Sequence, residues 1–320
     1  MSRPRRTADG VVMVRPRDFG FNEETALDNE FQARPTDSAT EINRRANVEF
    51  QNMVDRLRGE GVEVMLLEPD DSPARTPVPD AVFPNNWFST HADGAIVVYP
   101  MMAPNRRAEI RVDDLARLLR DNGRLVEKIV RFDLEAPEEC FLEGTGALVL
   151  DRAGRAAYAA RSNRCDPDLF ERFLRLRSYN EGILFDAAGS SGKPVYHTNV
   201  VMSVGERCAV VCTDSIARPA DRERVVQALR RSFEVVEISI EQMQEHFCGN
   251  ILQLRNRDGE IMTVMSSRAE RGFTAKQREQ LVRHGRIVAV DLETIESVGG
   301  GSARCMLAEV FLKKTQRRAQ

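Results

Sequence analysis

Five stretches of this chain repeat one local pattern: an amphipathic helix, a short break and an apolar strand. They read VDRLRGEGVEVMLLE, ARLLRDNGRLVEKIV, RFLRLRSYNEGILFD, VQALRRSFEVVEISI and REQLVRHGRIVAVDL. Setting Leu57, Leu119, Leu176, Leu229 and Leu281 in register gives spacings of 62, 57, 53 and 52 residues. Such periods belong to architectures whose units bury their apolar faces on one another. The helices carry apolar residues at three-four spacing, as at Ile110, Leu115, Leu118 and Leu119, which defines one buried face. The strands are rich in Val and Ile, which suit a pleated, half-buried surface.

Hairpin signals lie between the units. NWFSTHADGAIVVYP turns at Asp93-Gly94, GALVLDRAGRAAYAA near Gly154, NVVMSVGERCAVVCT near Gly205 and NILQLRNRDGEIMTVMS at Asp258-Gly259. Asp-Gly between apolar runs is a strong hairpin signal, because a tight turn between twisted strands needs residues that accept positive φ. The fifth unit keeps one strand, CMLAEVFL, and a partner for it, GVVMVRP, stands at the other end from Gly10 to Pro16. The pattern predicts an α/β fold, a five-bladed pseudo-symmetric α/β propeller of ββαβ units. It predicts a single domain over residues 1–320, the N-terminal strand closing the ring with the C-terminal strand. An ordinary open α/β sheet is the alternative. A doubly wound nucleotide fold is weaker, since no Gly-x-Gly-x-x-Gly follows a strand and GSSGKP lacks P-loop spacing.

The chain has 320 residues, 42% hydrophobic, with 46 basic and 49 acidic residues and a net charge of -3. A large core is available, and near-balanced charge gives no sign of a nucleic-acid or membrane partner. No apolar run is long enough to span a bilayer. The basic opening MSRPRRTADG reads as a frayed end, and EPDDSPARTPVPD at 68–80 as a Pro-rich loop. Six cysteines without regular spacing predict a reducing, cytoplasmic setting. Cys208 and Cys212 lack a second pair at zinc spacing, so no metal site or cofactor is expected.

In a propeller, equivalent positions of the units face a common axis. The residues just before each first hairpin strand are unusual: Asp80, Asn85 and Asn86 in PDAVFPNNW, Glu143 in CFLEGTG, His197 and Asn199 in VYHTNV, Asn250 in FCGNI, and Cys305 in GGGSARC. A Cys, a His, a Glu and several Asn at one structural position predict nucleophilic catalysis. A thiol becomes a good nucleophile on deprotonation, which a nearby imidazole assists, and the same imidazole can protonate a leaving amine. Glu143 would hold a cationic leaving group or orient water. The run Gly299-Gly300-Gly301 would clear space for a reacting group beside Cys305. The plainer readings are a buried apolar Cys, a satisfied core His and turn-forming Glu or Asn. Those readings are kept for Cys140, Cys165, Cys208, Cys212 and Cys248, and surface positions are expected for His91, His246 and His284.

At these residues the order PDAVFPNNW, LEGTG, ARSNRC, HTNV and GGGSARC resembles the guanidino-group-modifying superfamily of pentein fold, in particular its arginine deiminase-related, citrulline-utilisation hydrolase branch. The resemblance runs from Met13 to the C-terminal strand. It implies Cys305 as nucleophile, His197 as general acid/base and Glu143 as the acidic partner. It implies Asp80 at the substrate amine and Arg164, in ARSNRC, on the α-carboxylate, which suits a guanidinium fork. Arginine-processing members carry Asp where this chain has Asn86 and Asn199, and often Gly-Asp where it has Thr145-Gly146. A guanidinium calls for carboxylates, whereas a neutral ureido C=O calls for a donor.

The expected activity is therefore Cys-dependent hydrolysis of citrulline to ornithine, ammonia and carbon dioxide. The substrate-binding set is Asp80, Asn85, Asn86, Arg164 and Asn199, and the partner is a small amino-acid molecule, with a homodimer left open. A dimethylarginine or arginine hydrolase, an amidinotransferase and a non-catalytic binding module are the alternatives.

Overall fold

The computed structural model describes residues 5–70 and 76–315. Among them, five three-stranded sheets carry the fold, and four of them obey one rule. A hairpin pairs two strands antiparallel, a helix crosses over, and a third strand joins the middle strand in parallel. In the second blade Phe88–Thr90 pairs with Ala95–Val98, the helix Val112–Asp121 follows, and Lys128–Arg131 completes the sheet. The third blade uses Val149–Asp151, Ala156–Ala160, the helix Pro167–Arg177 and Glu181–Phe185. The fourth uses Met202–Val204, Cys208–Val211, the helix Pro219–Arg230 and Glu234–Glu237. The fifth uses Leu252–Arg255, Ile261–Ser266, the helix Ala275–Val282 and Arg286–Val290. A parallel neighbour cannot be reached by a tight turn, which is why each unit contains a helix.

The first blade draws on both ends of the chain. Gly10–Val14 pairs in parallel with Glu63–Leu67 after the helix Ala39–Gly59. Ala308–Glu309 pairs antiparallel on its other side, Val11 opposite Glu309 and Val12 opposite Ala308. The architecture is a five-bladed pseudo-symmetric α/β propeller. Its middle strands are buried along almost their whole length, as at Ala95–Val98 and Ala156–Ala160, because helices cover them outside and neighbouring blades inside.

Local signals set the helix starts. The Ser38 and Asp166 side chains accept the free N–H groups of their first turns, and Thr274 with Gln277 forms a capping box. The repeat register slips once. Leu57, Leu119, Leu229 and Leu281 are buried, but Leu176 is 43% exposed. The third helix buries Leu169, Phe170 and Phe173 instead, so its large aromatic ring fills the layer one turn earlier.

The opening segment is fastened from Arg6 onward, contrary to the expected fraying. Arg6 Nε donates to Asp151 Oδ1 at 2.8 Å, and Thr7 is buried. Residues 1–4 of that segment and 71–75 of the 68–80 loop lie outside the described residues. Among the described residues no helix is long and apolar enough to cross a membrane. All six cysteines are unpaired.

A short turn precedes the first strand of each blade. Pro84–Asn86, Gly144–Ala147 and Thr198–Val201 are helical turns; Asn250 and Cys305 end non-helical turns, their N–H groups donating to the Phe247 and Ser302 carbonyls. These turns touch one another about the axis, which brings the side chains of distant segments together.

Candidate active site

Close backbone approach builds the centre. A Cβ on Gly144 would lie 2.5 Å from the Asn85 carbonyl, and one on Gly249 would lie 2.1 Å from the Val200 carbonyl. Neither distance is open to a real side chain, so glycine lets the turns meet. The predicted Glu143, His197, Asn86, Asn199 and Cys305 converge there, all buried.

His197 Nε2 lies 2.8 Å from Glu143 Oε2. An ionised carboxylate accepts only, so this bond places the proton of the neutral ring on Nε2 and leaves Nδ1 with a lone pair. The other Glu143 oxygen, Oε1, accepts from the Met102 N–H at 3.0 Å, and Arg164 Nη1 stands 3.5 Å from Oε2. Burial pushes the Glu143 carboxyl up, but the cationic Arg164, the His197 hydrogen bond and Arg106 more than offset it and hold the group well below the usual range. Burial pushes His197 down; Glu143 opposes it without restoring the ordinary value. The His197 ring also packs on Tyr196, centroids 4.6 Å apart.

Cys305 Sγ accepts from Asn250 Nδ2 at 3.2 Å and from Asn199 Nδ2 at 3.5 Å. Burial pushes the thiol up, and these amides only partly counter it. Burial thus favours the neutral form of both the thiol and the imidazole.

Asp80 is buried; its Oδ2 accepts from Asn22 Nδ2 at 2.7 Å and Thr25 Oγ1 at 3.0 Å. Its Oδ1 is buried without a partner. Arg164 is committed: Nε donates to Asp28 Oδ2 at 3.0 Å, and Nη2 reaches Asp28 Oδ1 and the Thr25 carbonyl. The carboxylate on Arg164 is thus that of Asp28. Asn86 Oδ1 accepts from Arg106 Nη1 at 2.7 Å, while its Nδ2 is buried without a partner. A Cβ on Gly146 would lie 2.3 Å from that Nδ2 and 2.8 Å from His197 Nδ1, so Asn86 presents its amide beside the imidazole. Both amide atoms of Asn85 are buried without partners.

Several sequence expectations are corrected. The three glycines do not open space for a reacting group. Gly300 takes φ +66° to end the helix Glu293–Gly299, as a left-handed cap requires. A Cβ at Gly299 or Gly301 would strike the Phe83 ring, and one at Gly300 would strike Asn29 and Gln32. The close approach is made by the protein's own side chains. His91 is buried, its Nε2 2.8 Å from Ser89 Oγ and its Nδ1 3.3 Å from Arg152 Nη1. Arginine can only donate, so Nδ1 accepts and Nε2 carries the proton; this imidazole cannot deprotonate Ser89. Asn22, Thr25, Asp28 and Arg106 escaped the sequence reading, and Asn250 was grouped with the converging residues but given no role.

The sequence matches the family model described as N,N dimethylarginine dimethylhydrolase, eukaryotic, over residues 15–312. The chain belongs to this family, and with it to the guanidino-group-modifying superfamily of pentein fold. No curated protein matches it by sequence. Among solved structures it is similar to apo ArgZ, an arginine dihydrolase of the cyanobacterial ornithine-ammonia cycle, with TM-score 0.70 and 16% identity. That match covers 96% of this chain but 41% of ArgZ. The N-terminal domain of ArgZ covalently bonded to a reaction intermediate gives TM-score 0.70 at 15% identity, covering 94% of this chain and 97% of the other. A mutant dimethylarginine dimethylaminohydrolase, as an adduct with S-methyl-L-thiocitrulline, gives 0.63 at 14%, covering 94% and 99%.

Gly146→Ala is expected to lower kcat/KM by about 100-fold or more, because its methyl would occupy the place of the Asn86 amide and the His197 edge. A thermal melt within a few degrees of wild type, together with that loss, would locate the damage in the site. Unchanged turnover would show that the two side chains are free to step aside.

Proposed function

We propose that this protein hydrolyses the ureido group of citrulline through a covalent Cys305 intermediate. The observation that carries the reading is the Asn86 amide: a buried donor without a partner stands beside His197, where a carboxylate would serve a guanidinium. A ureido oxygen accepts that donor; a guanidinium offers none of its own atoms to it.

The residues divide the work as follows. Asp80 Oδ1 takes the substrate amine. Arg164 takes the α-carboxylate by exchanging Asp28 for it. Asn86 polarises the ureido carbonyl and gathers charge on its oxygen as Cys305 Sγ attacks the carbon. The thiol proton passes to His197 Nδ1, and the imidazolium, stabilised by Glu143, gives it to the departing ammonia. Water, activated by His197, then adds to the thiocarbamate, and the C–S bond breaks to restore the thiol. The N-alkyl carbamate released loses carbon dioxide to leave ornithine.

Arginine or dimethylarginine hydrolysis is the second reading, favoured by the family description and by the similarity to an arginine dihydrolase. An enzyme that hydrolyses twice passes through citrulline, so the same donors serve its second half. The experiment is ammonia and ornithine release from citrulline, arginine and dimethylarginine. Ornithine from citrulline, at a kcat/KM above that for arginine, is the expected result. Turnover confined to arginine or its methylated forms would refute the ureido reading.

A further inference from the structure

Arg106 is fully committed inside the protein. Its Nε and Nη2 form a fork on Glu109 Oε1 and Oε2 at 3.0 and 2.9 Å. Nη2 also donates to the Phe83 carbonyl at 3.1 Å, and Nη1 to Asn86 Oδ1 at 2.7 Å. Both ionic partners and Asn86 are buried. A carboxamide has one accepting end and one donating end, and they are exchanged by a half-turn about the Cβ–Cγ axis. A guanidinium only donates. Asn86 therefore keeps Oδ1 toward Arg106 and Nδ2 toward the reacting groups, because the flipped amide would set N–H against N–H between two buried groups.

We propose that Arg106 is a positioning residue that fixes substrate choice: it locks the Asn86 amide as a donor, so the site selects a ligand with a hydrogen-bond acceptor at the reacting carbon and disfavours a guanidinium. Glu109 neutralises the guanidinium and aims its fork. The proposal rests on the ureido reading and names the device behind it. Without Arg106 the amide is free to turn and present Oδ1, which accepts from a guanidinium.

The test measures binding of citrulline and of arginine by calorimetry in the inactive Cys305→Ala background, so turnover plays no part. Arg106→Met is made together with Glu109→Leu, so that no buried carboxylate is left unpaired, and Arg106→Lys is the conservative variant. The preference for citrulline over arginine is expected to fall about 10-fold or more on removing Arg106, by weaker citrulline and tighter arginine binding. Lysine, which still donates to Oδ1, should restore part of it. Once Asn86 is replaced by alanine, removing Arg106 should no longer change the preference. A merely structural role would weaken both ligands alike, in either background, and that result overturns the proposal. A parent protein that prefers arginine overturns the ureido reading instead, and the shift on removing Arg106 still judges the positioning role. Binding of neither ligand overturns both.

Discussion

If citrulline is the substrate, Cys305→Ala protein is expected to release no ammonia from it, and Cys305→Ser to lose at least about 10^4-fold in kcat. The alanine variant has no nucleophile at the centre of the five turns. The serine variant keeps an oxygen that can accept from Asn250 and Asn199, as Sγ does, so it folds, at a cost of about 1 kcal/mol. Its hydroxyl is too weak a nucleophile to attack a ureido carbon, and His197 lacks the basicity to ionise it. Burial already raises the thiol, and an alkoxide in the same place is far less accessible. Mass spectrometry of acid-quenched wild-type protein should find citrulline less ammonia, an N-alkylcarbamoyl group, on the sulfur of the peptide containing Cys305, and none in either variant. Serine turnover within tenfold of wild type would mean that another group attacks.

Glu143→Ala is expected to have the largest combined effect on stability and rate. The side chain is fully buried and joins three elements through the Met102 N–H, His197 and Arg164. Truncation leaves the buried Arg164 guanidinium with Asp28 as its remaining carboxylate. Breaking a buried pair on one side costs about 3–5 kcal/mol, measurable by urea unfolding. Activity falls about 1,000-fold or more, because the imidazole loses both its tautomer and the anion that stabilises its protonated form.

Glu143→Gln separates these effects. It keeps volume and one acceptor, so most of the stability returns while the rate stays low. The pH profile has a defined sign. Glu143 raises the His197 pKa against the burial that lowers it. Removing its charge lowers that pKa further, so the acid limb of kcat/KM moves to lower pH. An acid limb that stays in place would show that it belongs to a group other than His197.

The propeller was legible in the sequence because each blade is a local event. Hairpin, helix and strand follow within some fifty to sixty residues, and apolar periodicity marks each one. Closure between Gly10–Val14 and Ala308–Glu309 was legible as a strand without a partner at either end. Glu143, His197, Asn199 and Cys305 were legible together because repeat phase puts equivalent residues at one axis. Arg106 was not. Its neighbours PNRRAE read as an ordinary basic helical turn, and a pair three residues apart such as Arg106 and Glu109 usually lies at the surface. Asn22, Thr25 and Asp28 lie in a stretch outside the repeat, so no phase points to their packing on Asp80 and Arg164.

The sequence by itself determined the five-bladed architecture and the residue types that meet at its centre. Periodicity and order along the chain are enough for both. Only the tertiary structure decided what those residues are there: a buried thiol held by two amides, a buried imidazole bonded through Nε2 to Glu143, an Arg164 held by Asp28 and an Asn86 turned donor-outward by Arg106. Each of these depends on burial and on which atom of a distant segment comes within about 3 Å.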